Sequence, residues 1–79
     1  DDLNEAERAV FTALRKWRLE LSKKTAIPSF IIFNDRTLVE LARQQPKTLS
    51  ELLNISGIGQ AKADKYGRDV LQVIAAAYS

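Results

Sequence analysis

The chain has 79 residues, 46% hydrophobic and 28% charged, which predicts one small folded domain over residues 1–79. It has no Cys and no His, which excludes disulfides, thiolate or imidazole metal sites and nucleophile–histidine active sites. Twelve Lys and Arg against ten Asp and Glu give a formal charge of only +2. No apolar run is long enough to cross a bilayer, no signal peptide is apparent, and the lack of Met indicates a piece of a longer protein.

The charges lie in blocks along the chain. Residues 1–7 carry four acids and no base, whereas residues 8–24 carry six bases and one acid. A basic block indicates contact with a polyanion such as nucleic acid, and the alternative interpretation is an ordinary solvated helix face. The six bases are Arg8, Arg15, Lys16, Arg18, Lys23 and Lys24.

The N-terminal part of the chain predicts a long helix over about residues 5–23. Asn4 is a favourable N-cap, and acidic residues in the first turn face the positive end of the helix. Phe11 and Leu19 lie beside the basic face, and we expect both to pack against a terminal helix. At 100° per residue, six apolar residues form one stripe that we expect in the core: Leu3, Ala6, Val10, Leu14, Trp17 and Leu21.

Residues 25–33 form a connection. Ile27 precedes a proline and is therefore expected to be extended. The apolar run 30–33 is too short for a helix of its own, and it predicts a loop or a short helical turn whose alternate side chains enter the core. Phe33 is expected in the core. Phe30 would stack on an unpaired base if exposed, but from the residues alone burial in the core is the favoured interpretation.

The rest of the chain predicts four more helices, so the expected fold is an all-α, compact five-helix bundle. Asn34 would cap a helix over Asp35–Gln44. Thr48 and Glu51 fit a capping box that opens a short helix ending near residue 54. A helix from residue 60 is expected to be interrupted at Gly67, and a last helix would cover about residues 68–77.

The sharpest local motif is the turn Gly57-Ile58-Gly59, which fits a helix-hairpin-helix-like pattern. Glycines in such a turn let the backbone approach a phosphate, and the N–H groups that open the next helix would face it. Lys62 and Lys65 would add charge, so the candidate phosphate-binding residues are Gly57, Gly59, Lys62 and Lys65. The alternative interpretation is that the two glycines only make a tight interhelical turn.

No catalytic arrangement is apparent in the sequence. The carboxylate pairs Asp35/Glu40 and Asp64/Asp69 are each five residues apart and do not line one helical face. We therefore expect no catalysis, no metal and no cofactor in this chain.

Taken together, these segments resemble the HRDC domain, the helicase-and-RNase-D C-terminal module. The resemblance rests on Leu14-Arg15-Lys16-Trp17-Arg18, on residues 27–35 and 37–38, on Pro46-x-Thr48, on residues 52–59 and on Lys65-Tyr66-Gly67. It implies a five-helix bundle that serves as an auxiliary module of a RecQ-type, ATP-dependent DNA helicase, an enzyme of DNA repair and recombination. An RNase D-type exonuclease is the alternative parent.

The resemblance also implies a site. Family members that bind DNA commonly use basic positions on the first helix and around the following loop. The corresponding residues here are Arg15, Lys16, Arg18, Lys23, Lys24, Phe30 and Arg36. The implied function is weak, sequence-independent binding of single-stranded or branched DNA, at an intracellular, DNA-associated location.

The low net charge and the four leading acids support a second hypothesis. In that hypothesis the domain docks on the other domains of its parent helicase, or on another copy of itself, and has little affinity for DNA. The sequence does not determine the oligomeric state.

Overall fold

The described part of the computed structural model, residues 2–77, contains five helices and no strand. They are α1 (Glu5–Thr25), α2 (Ser29–Ile32), α3 (Asp35–Gln44), α4 (Leu49–Leu52) and α5 (Gln60–Ala77). The predicted all-α, five-helix bundle is confirmed. The division into helices differs from the prediction, however, because the segment before α3 contributes a helix and the C-terminal segment contributes one rather than two.

Helix starts follow the predicted caps. The Asn4 side chain accepts a hydrogen bond from the Glu7 backbone N–H at 2.8 Å, and the Glu7 side chain accepts one from the Asn4 backbone at 3.0 Å. Asn34 accepts from the Thr37 N–H at 2.8 Å, and α3 has the predicted bounds. Each cap satisfies backbone donors that the first helical turn leaves unpaired.

The capping of α4 departs slightly from the predicted box. Thr48 Oγ1 accepts from the Glu51 N–H at 3.1 Å, as expected. The Glu51 carboxylate accepts from the backbone N–H of Lys47 at 2.8 Å, one residue earlier than in a capping box. The helix is also shorter than predicted and ends at Leu52.

The predicted break at Gly67 is wrong, because α5 continues through it. A Cβ atom at Gly67 would lie 2.7 Å from Leu49 Cδ2 and 3.1 Å from Leu52 Cδ2. The missing side chain therefore lets α4 pack directly on α5. This contact offsets the cost of a glycine inside a helix, about 1 kcal/mol relative to alanine.

The α2 segment is a single helical turn. The prediction that its alternate side chains enter the core is wrong, because Ile32 and Phe33 are both buried while Phe30 and Ile31 are both exposed. Within the turn, Ile32 lies about 100° round the helix from Ile31 and faces the core, and Phe33 follows as an extended C-cap that also enters the core. The turn thus separates a buried pair from an exposed pair.

The core lies where α1 crosses α3 and α5. Val10 and Leu14 of the predicted stripe are fully buried, and Trp17 is half-buried, with its ring centroid 6.1 Å from those of both Phe33 and Tyr66. These aromatic contacts fix the end of α2 against α1 and α5.

Two predictions for α1 are wrong. Ala6 is exposed although it lies on the predicted core stripe, and Leu19 is 51% exposed rather than packed against a terminal helix. Phe11 is half-buried and packs against the core. Within residues 2–77, no helix combines the length and apolar character needed to span a membrane.

Candidate nucleic-acid interface

A groove of about 380 Å³ separates the middle of α1 from the start of α2. Its lining residues are Thr12, Arg15, Lys16, Arg18, Leu19 and Ser29. Arg15 and Lys16 are exposed on one side of it, and the Arg15 guanidinium carbon lies 5.9 Å from the centroid of the Phe11 ring. The groove therefore has a cationic wall on α1 and leads toward α2.

Three large apolar side chains are exposed on α1 and α2, the two helices that form this groove. Phe30 is 68% exposed, while Ile31 and Leu19 are each 51% exposed. Phe30 directly follows Ser29, which lines the groove. The expectation of a buried Phe30, drawn from the residues alone, is therefore wrong. An accessible aromatic ring is a group on which unpaired bases stack.

Arg18 lines the groove but contributes little to its exposed cationic surface. Its side chain is only 9% exposed, its Nη1 donates to the Phe33 carbonyl oxygen at 2.8 Å, and its Nη2 donates to Asp35 Oδ1 at 2.8 Å. The prediction that Arg18 shares an exposed cationic face with Arg15 is corrected accordingly. The helical wheel places Arg18 between the basic face and the core stripe, and the packing of α2 covers it.

Arg18 donates side-chain hydrogen bonds from α1 to the segment of residues 27–35, which we call the arch. Ser22 does so as well, since its Oγ donates to the Ile27 carbonyl oxygen at 2.6 Å. No local pattern in the sequence predicts these contacts, since they join residues five to seventeen positions apart through hydrogen bonds to backbone and to a carboxylate. The sequence predicts Asp35 only as the first residue of α3.

The remaining predicted cations lie on different surfaces. Lys23 is exposed in the last turn of α1, seven residues after Lys16 and hence on the same side of the helix. Lys24 instead lines a separate groove with the acidic residues Glu20 and Asp69. Arg36 lines a separate polar cleft formed by Asn34, Arg36, Thr37, Glu40, Ser56 and Gly57.

Most residues of the hairpin turn, residues 55–59, have a structural role in the fold. Ile55 and Ile58 are 2% and 5% exposed, so both anchor the turn in the core. Gly57 has φ +94°, and a Cβ atom there would collide with Thr37 Oγ1. Gly59 differs, because no described atom lies within 4 Å of where its Cβ would be.

The two hairpin lysines lie over aromatic rings of the core. Lys62 Nζ is 5.4 Å from the centroid of the Phe33 ring, and Lys65 Nζ is 5.5 Å from that of Tyr66. Both distances are within the range of cation–π attraction. The four residues of the candidate phosphate site therefore have structural roles or neighbours of their own, apart from the open position at Gly59.

Within residues 2–77, no group of three or more carboxylate, Cys or His residues is placed to hold a metal ion. The carboxylate Asp35 is engaged by Arg18, and Asp64 accepts a hydrogen bond from Gln60 at 2.8 Å. The exposed groups of the α1–α2 surface are cations and apolar side chains.

Comparisons with known proteins agree with this architecture. The HRDC domain model matches residues 7–74. RecQ HRDC domain 3 of D. radiodurans superposes with a TM-score of 0.89 at 36% identity, covering 92% of this chain and 96% of that one. The chain is 43% identical over 67 residues to the ATP-dependent DNA helicase RecQ of Bacillus subtilis, and 31% identical over 72 residues to Ribonuclease D of a Shewanella species.

The matches cover most of this chain but little of the curated relatives. They include 85% of the chain and 11% of the Bacillus helicase, and 91% of the chain and 19% of the ribonuclease. What is shared is therefore one helical module rather than a whole enzyme. Because the family model spans most of the sequence and the fold matches a solved example closely, this chain belongs to the HRDC domain family.

Proposed function

We propose that this domain is an auxiliary module that binds single-stranded or branched DNA weakly and without sequence readout, and thereby tunes the substrate choice of a RecQ-type helicase. The observation that carries the proposal is the exposed pair Phe30 and Ile31 on α2, next to a groove whose wall carries Arg15 and Lys16. An exposed aromatic side chain beside cations suits a flexible strand that can offer bases and phosphates together.

The composition of this surface accounts for both weakness and lack of specificity. Arg15, Lys16 and Lys23 would contact phosphates, which carry no sequence information. Phe30 would stack on any base, because every base has a π face. Lys24 and Arg36 lie on neighbouring surfaces, where they would meet a longer or branched DNA rather than the same nucleotides.

The parent enzyme is also part of the proposal. The matched relatives include an ATP-dependent DNA helicase and a ribonuclease, and the solved neighbour comes from a RecQ protein. We favour the helicase because the structural match and the higher sequence identity both lie there. In that setting the motor would lie in other domains, and this module would act in DNA repair and recombination at a DNA-associated location.

The experiment is a fluorescence anisotropy titration of a labelled single-stranded oligonucleotide at several salt concentrations. Substituting Arg15→Ala together with Lys16→Ala should weaken binding. It should also reduce the salt slope, the slope of log affinity against log salt concentration, by about 1.4 in magnitude, because each lost phosphate contact contributes about 0.7 on a single strand. The matched control is Lys47→Ala with Arg68→Ala, which removes the same charge from exposed positions that do not line the groove. Equal effects of the two pairs would contradict the proposed surface.

A second candidate function is protein docking, because the large apolar side chains of Leu19, Phe30 and Ile31 are exposed. It predicts no DNA binding at low salt together with concentration-dependent self-association, or binding to the parent's other domains. Sedimentation velocity over a range of protein concentrations, run beside the anisotropy titration, separates the two functions.

A further inference from the structure

We infer that Arg18 and Ser22 are positioning residues that hold the arch at both ends and so fix Phe30 at the surface in a conformation ready to stack. This inference rests on the proposed function, since it assigns a role to residues behind the same site. Neither residue needs to touch DNA for the inference to hold.

The two contacts bracket the exposed part of the arch. Ser22 Oγ holds the Ile27 carbonyl at 2.6 Å, and Arg18 Nη1 holds the Phe33 carbonyl at 2.8 Å. Arg18 and Ser22 are four residues apart and therefore lie one above the other on the same side of α1. Phe30 lies between the two contact points, on a segment whose ends are both attached to one rigid helix.

Arg18 also joins the arch to the next helix. Its Nη2 donates to Asp35 Oδ1 at 2.8 Å, at the first residue of α3. The Arg18 side chain is 9% exposed and that of Asp35 is 77% exposed, so the contact runs from the interior to the surface. A guanidinium can bridge two acceptors in this way because its donors form a planar fork, whereas a lysine ammonium has no such fork.

The arch needs such support. α2 has only four residues, and a helix of that length is not stable without tertiary contacts. The buried side chains of Ile32 and Phe33 fix its C-terminal half, but Phe30 and Ile31 are exposed and contribute little burial of their own. A ring that is already held in place loses less conformational freedom when a base stacks on it, which increases affinity.

The test is a double-mutant cycle on single-strand affinity, with Arg18→Lys and Phe30→Ala. Arg18→Lys keeps the charge but cannot bridge both acceptors. We expect Phe30→Ala to weaken binding about tenfold and Arg18→Lys to weaken it about fivefold, with the double variant still near tenfold because the two act through one ring. The salt slope of Arg18→Lys should equal that of the unmodified domain, and urea unfolding should show that each variant is folded.

Two outcomes would overturn the inference. If the double variant is weaker by the product of the single effects, about fiftyfold, Arg18 acts independently of Phe30. An Arg18→Lys variant that binds as tightly as the unmodified domain would show that the contact does not position the ring.

Ser22→Ala keeps the test decisive if Arg18→Lys does not fold. It removes the hydrogen bond to the Ile27 carbonyl without changing any charge, and its effect should also vanish in the Phe30→Ala background. Ser50→Ala, at an exposed serine of α4, is the matched control and should leave affinity unchanged. If Phe30→Ala and the Arg15/Lys16 pair both leave binding intact, the proposed function fails; if they weaken it and neither positioning variant does, only this inference fails.

Discussion

The arch and the hairpin turn carry similar sequence features, since each places apolar residues among turn formers with cations nearby. In the fold they differ in what remains exposed. The arch leaves Phe30 and Ile31 68% and 51% exposed, whereas the hairpin turn buries Ile55 and Ile58 to 2% and 5% exposure. The hairpin lysines lie over core rings, while Arg15 and Lys16 line a groove.

The difference shows that a motif supports a functional interpretation only for residues whose identity the fold does not already explain. The φ of +94° at Gly57 and the closeness of Thr37 explain that glycine without any ligand. No folding demand explains an exposed phenylalanine, because leaving such a ring in water forgoes burial worth roughly 1.5–3 kcal/mol. The arch is therefore the better candidate for DNA contact, and the variants below test that contrast.

The largest expected effect is on folding, at the hairpin turn. Gly57→Ala should lower the free energy of unfolding by about 2–3 kcal/mol, because alanine is strained at positive φ and its Cβ would collide with Thr37. Urea denaturation measures the loss. Gly59→Ala is the matched control, and it should change stability by less than about 0.5 kcal/mol because its position is open. Equal losses at both glycines would refute this account of the turn.

The next effect is on binding, at the arch. Phe30→Ala should weaken single-strand affinity about tenfold through lost stacking, while the free energy of unfolding changes by less than about 0.5 kcal/mol because the side chain is exposed. Leu53→Ala is the control, since Leu53 is also an exposed apolar residue, 39% accessible, but precedes the hairpin turn. Anisotropy should show unchanged affinity for Leu53→Ala, and a similar loss in both variants would remove the contrast between the two regions.

Local signals in the sequence predicted much of the fold. The caps at Asn4 and Asn34 depend on hydrogen bonds within four residues, and both helix starts are where the sequence placed them. Local propensity disfavours glycine in a helix, so the sequence predicts a break at Gly67. The structure retains the helix because α4 packs on that glycine, and such a contact between distant segments has no local signature.

The candidate site was likewise predictable only where local sequence patterns determine which side chains are exposed. The basic face of α1 follows from helical periodicity, and Arg15, Lys16 and Lys23 are exposed as expected. The burial of Arg18 depends on Phe33 and Asp35, fifteen and seventeen residues away, and no spacing rule connects them. Exposure of Phe30 likewise depends on which side of a single helical turn meets the core. A helix of four residues is too short for hydrophobic periodicity to indicate its buried side.

A smaller effect is expected at the hairpin lysines. Lys62→Ala should lower the free energy of unfolding by about 0.5–1 kcal/mol, because it removes the ammonium from the face of the Phe33 ring. Binding to duplex DNA should stay unchanged in Lys62→Ala and in Lys62→Glu, measured by anisotropy with a labelled duplex. Weaker duplex binding by Lys62→Glu, with a further loss in Gly59→Ala, would restore the hairpin turn as a phosphate site.

The smallest expected effect tests how far the proposed DNA-binding surface extends along α1. Lys23 lies on the same side of the helix as Lys16, so Lys23→Ala should weaken single-strand binding about two- to threefold and lower the salt slope by about 0.7. Lys24, its neighbour in sequence, lines the groove that contains Glu20 and Asp69, whose charges oppose a phosphate. Lys24→Ala should therefore change affinity by less than about 1.5-fold, since it contributes only to the long-range field. A larger effect at Lys24 than at Lys23 would indicate that the strand binds on the other side of α1, away from Phe30.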